Sequence, residues 1–330
     1  MTPPPNPILT VRNLKTHFPV YGGLLSQQVG AVRAVDGVSF ELYPGETLGL
    51  VGESGCGKST LGRTIIKLYD PTEGEIEFCG EKIANKNHLE MKPLRRNLQM
   101  IFQDPFSSLD PRMSVEGIVT EPFRLHGIGN REEWASRALD LLKMVGLKEE
   151  DLRKYPHEFS GGQRQRIGIA RAIALNPKVI IADEPIAALD VSIQAQMLNL
   201  LSDLKKKFNL TYIFISHDLS VVKYFSDRVA VMYLGKIVEI TTSDRIYANP
   251  MHPYTKALMS AIPHGDPDHK VKHEVLQGDV PSPLKPPSGC AFHPRCKYAV
   301  DRCRTEVPVL RDMEKKEMHQ VSCHLVEKIN

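Results

Sequence analysis

The chain has 330 residues, 42% of them hydrophobic and 25% charged, with a formal net charge of +3. That length allows two domains, or one large domain with an appendage, and the apolar fraction is ordinary for a packed globular core. The small net charge gives no argument for nucleic acid or a membrane surface, and no run of 18 apolar residues encodes a transmembrane helix. Residues 1–7 are proline-rich and lack the apolar centre of a signal peptide, so a reducing compartment is expected. The six cysteines, at 56, 79, 290, 296, 303 and 323, are then poor disulfide candidates.

In chain order, residues 8–14 and 34–42 read as strands, the second alternating through Val38-Ser39-Phe40-Glu41-Leu42. Pro44-Gly45 marks a turn before the apolar run 47–51, and 76–80 closes an antiparallel patch. Residues 99–103 are a further strand. Residues 131–145 carry helical spacing, with Trp134, Ala138, Leu141 or Leu142 and Val145 on one face. A helix through Ile167, Ala170 and Ala174 is ended by Asn176-Pro177. The continuous apolar run 179–182 suits a parallel strand covered on both faces. Helix 197–208, strand 212–215, and strands 228–233 and 236–240 around Leu234-Gly235 follow. Alternating strands and helices predict an α/β fold with a mainly parallel sheet. Beyond about residue 250 prolines cluster and four of the six cysteines appear, which predicts a loop-rich appendage over 251–330.

The chemistry starts at Gly52-Glu53-Ser54-Gly55-Cys56-Gly57-Lys58-Ser59-Thr60, a G-x-x-x-x-G-K-[ST] loop between a predicted strand and helix. Glycines let backbone N–H groups turn inward around phosphate oxygens, and the helix start adds its positive end. Lys58 can reach the β- and γ-phosphates, and the Ser59 hydroxyl can ligate Mg²⁺. An ordinary glycine-rich turn before a helix is the alternative. Asp183-Glu184, after the run 179–182, supplies the complementary half: a carboxylate for Mg²⁺ and a neighbouring general base for water. By itself that pair could be a solvated strand end.

Phe159-Ser160-Gly161-Gly162-Gln163 resembles the signature motif of ABC-type ATPases, and its position between the phosphate loop and Asp183-Glu184 matches their order. Gln103, Asp190 in Ala187-Ala188-Leu189-Asp190, and His217 in Ile215-Ser216-His217-Asp218 stand where that family keeps its Q-, D- and H-loops. The resemblance covers residues 8–245. It implies a RecA-like parallel-sheet core, an antiparallel β subdomain and an α-helical signature subdomain over about 104–175, all within 1–250. It also implies ATP and Mg²⁺ as cofactors and a head-to-tail dimer, with Ser160, Gly161, Gly162 and Gln163 covering the nucleotide of the facing subunit. Ser160 could also simply cap the following helix. Gln103 and His217 would sense the γ-phosphate, Gln103 also touching the metal, and Phe18 would stack on adenine, although a lone Phe is usually core.

The stretch Gln103-Asp104-Pro105-Phe106-Ser107-Ser108-Leu109-Asp110-Pro111-Arg112 is similar to ATP-binding subunits of dipeptide/oligopeptide permeases, the second ATPase type. So are Asn249-Pro250-Met251-His252-Pro253-Tyr254-Thr255-Lys256-Ala257-Leu258 and Gly289-Cys290-Ala291-Phe292-His293-Pro294-Arg295-Cys296. This resemblance implies a peptide importer: a second ATPase chain, two membrane permease subunits, an extracytoplasmic binding protein, and a place on the cytoplasmic face of the inner membrane. A soluble ABC-type ATPase acting on nucleic acid or ribosomes shares the catalytic motifs, but the chain has neither a second ATPase set nor a basic stripe. Cys290, Cys296, Cys303 and Cys323 lack the C-x-x-C pairs of structural zinc sites and the usual ferredoxin spacings. Their spacing says only that four thiolates could share a metal. The resemblance implies a [4Fe–4S] cluster there, with zinc or buried thiols as the other readings.

Overall fold

Around the phosphate loop, residues 47–51 and 228–233 are apolar almost without interruption, the pattern of strands covered on both faces. The computed structural model describes residues 6–22, 27–187, 189–262, 276, 278–314 and 318–329. Residues 1–5, in the proline-rich lead, and Ala188, in the expected D-loop, lie outside them. The chain divides into two units, one of residues 1–43, 47–85 and 216–330, the other of 44–46 and 86–215.

In the first unit, Leu9–Gly22 and Gln27–Leu42 form a long antiparallel hairpin, with Leu9 opposite Leu42 and Phe18 opposite Val32. Glu73–Phe78 pairs on the other side of Leu9–Gly22, followed by the short strand Glu81–Lys82. Leu9, Val11, Leu14, Val38, Leu42, Ile76 and Phe78 line the buried face. The hairpin is longer than the expected strands 8–14 and 34–42. Its register shifts four times, and Asn13 takes a left-handed φ of 45°, so apolar alternation breaks although pairing continues.

The phosphate-loop strand Thr47–Val51 pairs in parallel with Arg228–Tyr233. Leu234 (φ 43°) and Gly235 (φ 79°) then turn the chain into Lys236–Thr242, antiparallel to it; two successive left-handed residues suit a tight hairpin turn. His319–Val321 adds to that strand, Glu239 opposite Val321, and Arg311–Glu314 lies outermost. The C-terminal segment thus joins the sheet of the phosphate-loop unit. Met251, Val321 and Val326 form a small core there with Met313 and Cys323.

The second unit holds three parallel strands, Leu98–Ile101, Val179–Asp183 and Thr211–Ile215, with Val179–Asp183 in the middle. Its helices include Val115–His126, Arg131–Met144, Gly161–Ile173 and Val191–Phe208. Asn130 caps Arg131–Met144 by accepting from the backbone N–H of Glu132 and Glu133. Asn209 closes Val191–Phe208 in the left-handed conformation, φ 51°. Among the described residues no helix is long and apolar enough to cross a membrane.

Candidate functional site

In the phosphate loop, Gly52, Gly55 and Gly57 have φ of 150°, 77° and 105°. A Cβ on Gly52 would lie 2.1 Å from the Met232 carbonyl oxygen, and one on Gly57 would lie 1.9 Å from that of Ala34. Only glycine lets the loop fold back this tightly. The following helix, Lys58–Ile65, starts at Gly57 without a side-chain cap. Its first backbone donors therefore face the loop rather than a capping oxygen. Lys58 is 5% exposed, and its Nζ donates to the carbonyls of Gly52 (2.8 Å) and Glu53 (3.1 Å), curling over the loop. Ser54 and Gly55 are exposed, Ser59 and Thr60 half-buried. Burial pushes the Cys56 thiol up, so it packs as a small apolar group.

Phe18, in the long hairpin, is half-buried and edge-on to Tyr69, ring centroids 5.2 Å apart. His217 is exposed and precedes the helix Leu219–Phe225, which Asp218 caps through bonds from Ser220 and Val221 N–H. In the same unit, the Arg295 guanidinium binds the Glu53 carboxylate through both arms, at 2.7 and 3.1 Å. Sequence reasoning missed this pair: Glu53 is a variable position of the loop motif, and 242 residues separate the partners.

The second unit brings together the residues after its central strand. Asp183 ends Val179–Asp183 fully buried. Glu184 follows in the left-handed region, φ 45°, a strained conformation for this residue. Its N–H donates to the Ile215 carbonyl (3.0 Å), and its Oε2 accepts from Gln103 Nε2 at 3.0 Å. Farther along, the Gln194 side chain donates to the carbonyls of Ile186 and Leu189, bracing the turn that leads to Asp190.

Ser160 and Gln163 cap the helix Gly161–Ile173 reciprocally. Ser160 Oγ accepts from Gln163 N–H at 3.4 Å, and Gln163 Oε1 accepts from Ser160 N–H at 3.0 Å. A Cβ on Gly162 would meet Ile193 Cγ2 at 2.9 Å, so this glycine permits a close helix approach. Ser160, Gly161, Gly162, Gln163, Leu189 and Asp190 line one open concavity. The signature-type and D-loop-type residues thus share a surface.

The cysteine expectation requires correction. Cys290, Cys296, Cys303 and Cys323 do line one small cavity with Phe292 and Tyr298. Yet among the described residues no group of three or more His, Cys, Asp or Glu side chains could hold a metal ion. Burial pushes the Cys290 thiol up to about 11 and raises those of Cys296 and Cys323, so without a bound metal these groups are neutral thiols. None of the six cysteines is in a disulfide. The expected [4Fe–4S] cluster, and zinc in its place, are therefore not borne out: Cys303 is a buried free thiol, and Cys290, Cys296 and Cys323 are half-buried ones.

Residues 35–187 match the family model "ABC transporter", and residues 238–303 match "Oligopeptide/dipeptide transporter, C-terminal region". The oligopeptide transport ATP-binding protein AppF of Bacillus subtilis is 55% identical over 321 residues, covering 96% of this chain and 97% of its own. A putative peptide import ATP-binding protein of Brucella ovis is 52% identical over 307 residues, covering 93% of this chain and 95% of its own. Among solved structures, the dimeric ATP-binding cassette MJ0796 bound to ADP and Pi in a post-hydrolysis state superposes with a TM-score of 0.64 at 30% identity, covering 71% of this chain and 98% of that one. CbiO1 of Clostridium perfringens, part of the transporter complex cbiONQ, gives 0.62 at 27% identity, covering 74% of this chain and 91% of that one. The glycine-built phosphate loop, the cassette fold and the C-terminal region therefore agree: the chain belongs to the ATP-binding subunits of ABC-type oligopeptide and dipeptide transporters.

Proposed function

We propose that this chain binds and hydrolyses ATP to power import of dipeptides or oligopeptides through a membrane permease. The observation that carries the reading is the phosphate loop. Gly52 and Gly57 tolerate no Cβ, and the helix start beyond them has no side-chain cap. This chemistry fits a triphosphate, whose oxygens accept from the loop amides while Lys58 turns from the Gly52 and Glu53 carbonyls to the phosphates. The Ser59 hydroxyl, the Asp183 carboxylate and Gln103 would be the oxygen donors to Mg²⁺, and Thr60 follows Ser59 in the same turn. When bound there, the ion would supply neutralisation of phosphate charge.

Glu184 takes the proton of a water whose oxygen bonds to the γ-phosphorus as the bond to the β-phosphate oxygen breaks, giving ADP and phosphate. Gln103 orients that carboxylate, as its 3.0 Å hydrogen bond to Glu184 suggests. His217 helps to place the water, and Phe18 stacks on the base. Ser160, Gly161, Gly162, Gln163 and Asp190 act on the nucleotide of a facing ATPase chain, which would also explain an exposed concavity with its own capped helix start. Two permease subunits and an extracytoplasmic binding protein complete the assembly, with this chain on the cytoplasmic face of the inner membrane. The match of residues 238–303 supports this reading over a soluble ATPase acting on nucleic acid or ribosomes. Glu184→Gln tests it: the variant should bind ATP like the unaltered chain and lose at least about 100-fold in turnover. Persistent turnover would refute the general-base role.

A further inference from the structure

One contact outside the nucleotide motifs ties the phosphate loop to the C-terminal region. Both arms of the Arg295 guanidinium reach the Glu53 carboxylate, Nη1 to Oε2 at 2.7 Å and Nη2 to Oε1 at 3.1 Å. The Glu53 backbone N–H donates to the Tyr254 hydroxyl at 2.8 Å, so the same residue is held from two sides. Side-chain exposure is 7% for Arg295 and 29% for Glu53, so water screens this pair less than a surface one. The guanidinium stands 5.9 Å from the Tyr233 ring centroid, and Tyr233, Tyr254 and Phe292 pack on one another as a buried aromatic wall. That wall and the planar fork fix the arginine in a way a lysine could not match.

Glu53 is an anion inside a loop whose other features favour anionic phosphate. An uncompensated carboxylate there would repel the triphosphate, and a loosened Glu53 would let the loop backbone that is anchored to the Tyr254 hydroxyl shift. We propose that Arg295 is a positioning residue for nucleotide binding, acting from the C-terminal region by neutralising Glu53 and fixing the loop backbone. The inference rests on the ATP-binding reading above and gives the C-terminal region a role in it.

The test titrates the purified full chain calorimetrically with ATP and with ADP, in EDTA so that no metal masks phosphate charge. Arg295→Ala should weaken ATP binding about tenfold, and ADP binding less because ADP carries less charge. Adding Glu53→Gln to Arg295→Ala should restore ATP affinity to within about threefold of the unaltered chain, since the uncompensated charge is gone. A merely structural contact moves ATP and ADP equally and is not rescued by removing the second partner. A folded Arg295→Ala chain with unchanged ATP affinity, or a loss that Glu53→Gln does not reverse, overturns the proposal. Where alanine prevents folding, Arg295→Gln takes its place under the same criteria. Failure of the unaltered chain to bind ATP would instead overturn the nucleotide reading itself.

Discussion

Gly57→Ala places a methyl group where the phosphate loop meets the long hairpin. The new Cβ would lie 1.9 Å from the Ala34 carbonyl oxygen and 2.9 Å from Met232 Cε. The methionine end can move; the Ala34 carbonyl is backbone at a bulge of the strand Gln27–Leu42, between Arg33 and Val35, which pair with His17 and Thr16, so it has little room to give. A φ of 105° adds strain that glycine does not feel. Left-handed strain costs an alanine about 1–2 kcal/mol, and forcing a methyl into a packed site costs about 1–3, so the sum is about 2–5 kcal/mol. Gly55→Ala separates the two contributions, because its φ is 77° but a Cβ there meets nothing within 4 Å. It should lose only the strain, about 1–2 kcal/mol. Urea unfolding of the full chain, followed by ATP titration of each variant, provides the comparison. Gly57→Ala should show the larger fall in urea midpoint and a loss of ATP affinity of at least about tenfold. Equal midpoints and affinities for the two variants would refute the loop geometry described above.

Three further outcomes are expected. Glu239 is fully buried and accepts from the N–H groups of Met251 and His252 at 2.8 Å and pairs with His319 Nε2 at 2.7 Å. Glu239→Ala should therefore cost about 3–5 kcal/mol in urea unfolding, and a loss under about 1 kcal/mol would show that the cluster does not staple the C-terminal strand. Burial pushes the His252 imidazole down to about 4, against the opposing pull of Glu239, and its Nδ1 accepts from Tyr254 N–H. A histidine kept neutral in the fold contributes stability fully above the unfolded value of about 6.5, and that contribution is lost as pH falls towards 4, up to about 3 kcal/mol. His252→Asn, which can still cap the helix Pro253–Ser260, should flatten the stability profile between those two pH values; an unchanged profile would assign the acid sensitivity elsewhere. Iodoacetamide at pH 7.5 should label exposed Cys79 well before Cys290 and buried Cys303, and mass spectrometry that found the reverse order would contradict the burial of that cysteine set.

What could be read from the sequence depended on whether the physics was local. The phosphate loop, the Ser160–Gln163 cap and the run ending at Asp183 are dictated by residues a few positions apart, and the helix start at Lys58, the cap and the strand end stand where the sequence puts them. The long hairpin was only half legible, because its bulges break the two-residue alternation and Pro19 argues against a strand. The helix His88–Arg95 went unread since Pro93 lies inside it, and Val115–His126 contains Pro122. The C-terminal segment read as a loop-rich appendage, and what tied it to the rest was hidden: its strand pairing at Val321 and the Arg295 contact with Glu53 connect residues 82 and 242 positions apart. Cysteine spacing could not distinguish buried thiols from metal ligands, because that distinction rests on how close the sulfurs approach in space.

The most direct measurement is a mild-detergent pull-down of the tagged chain from its own membranes, with every retained protein identified by mass spectrometry. Recovery of two multi-span proteins and a second ATPase, together with an extracytoplasmic binding protein carrying a peptide, is the expected result. Recovery of ribosomes or nucleic acid, with no membrane protein retained, would contradict the importer.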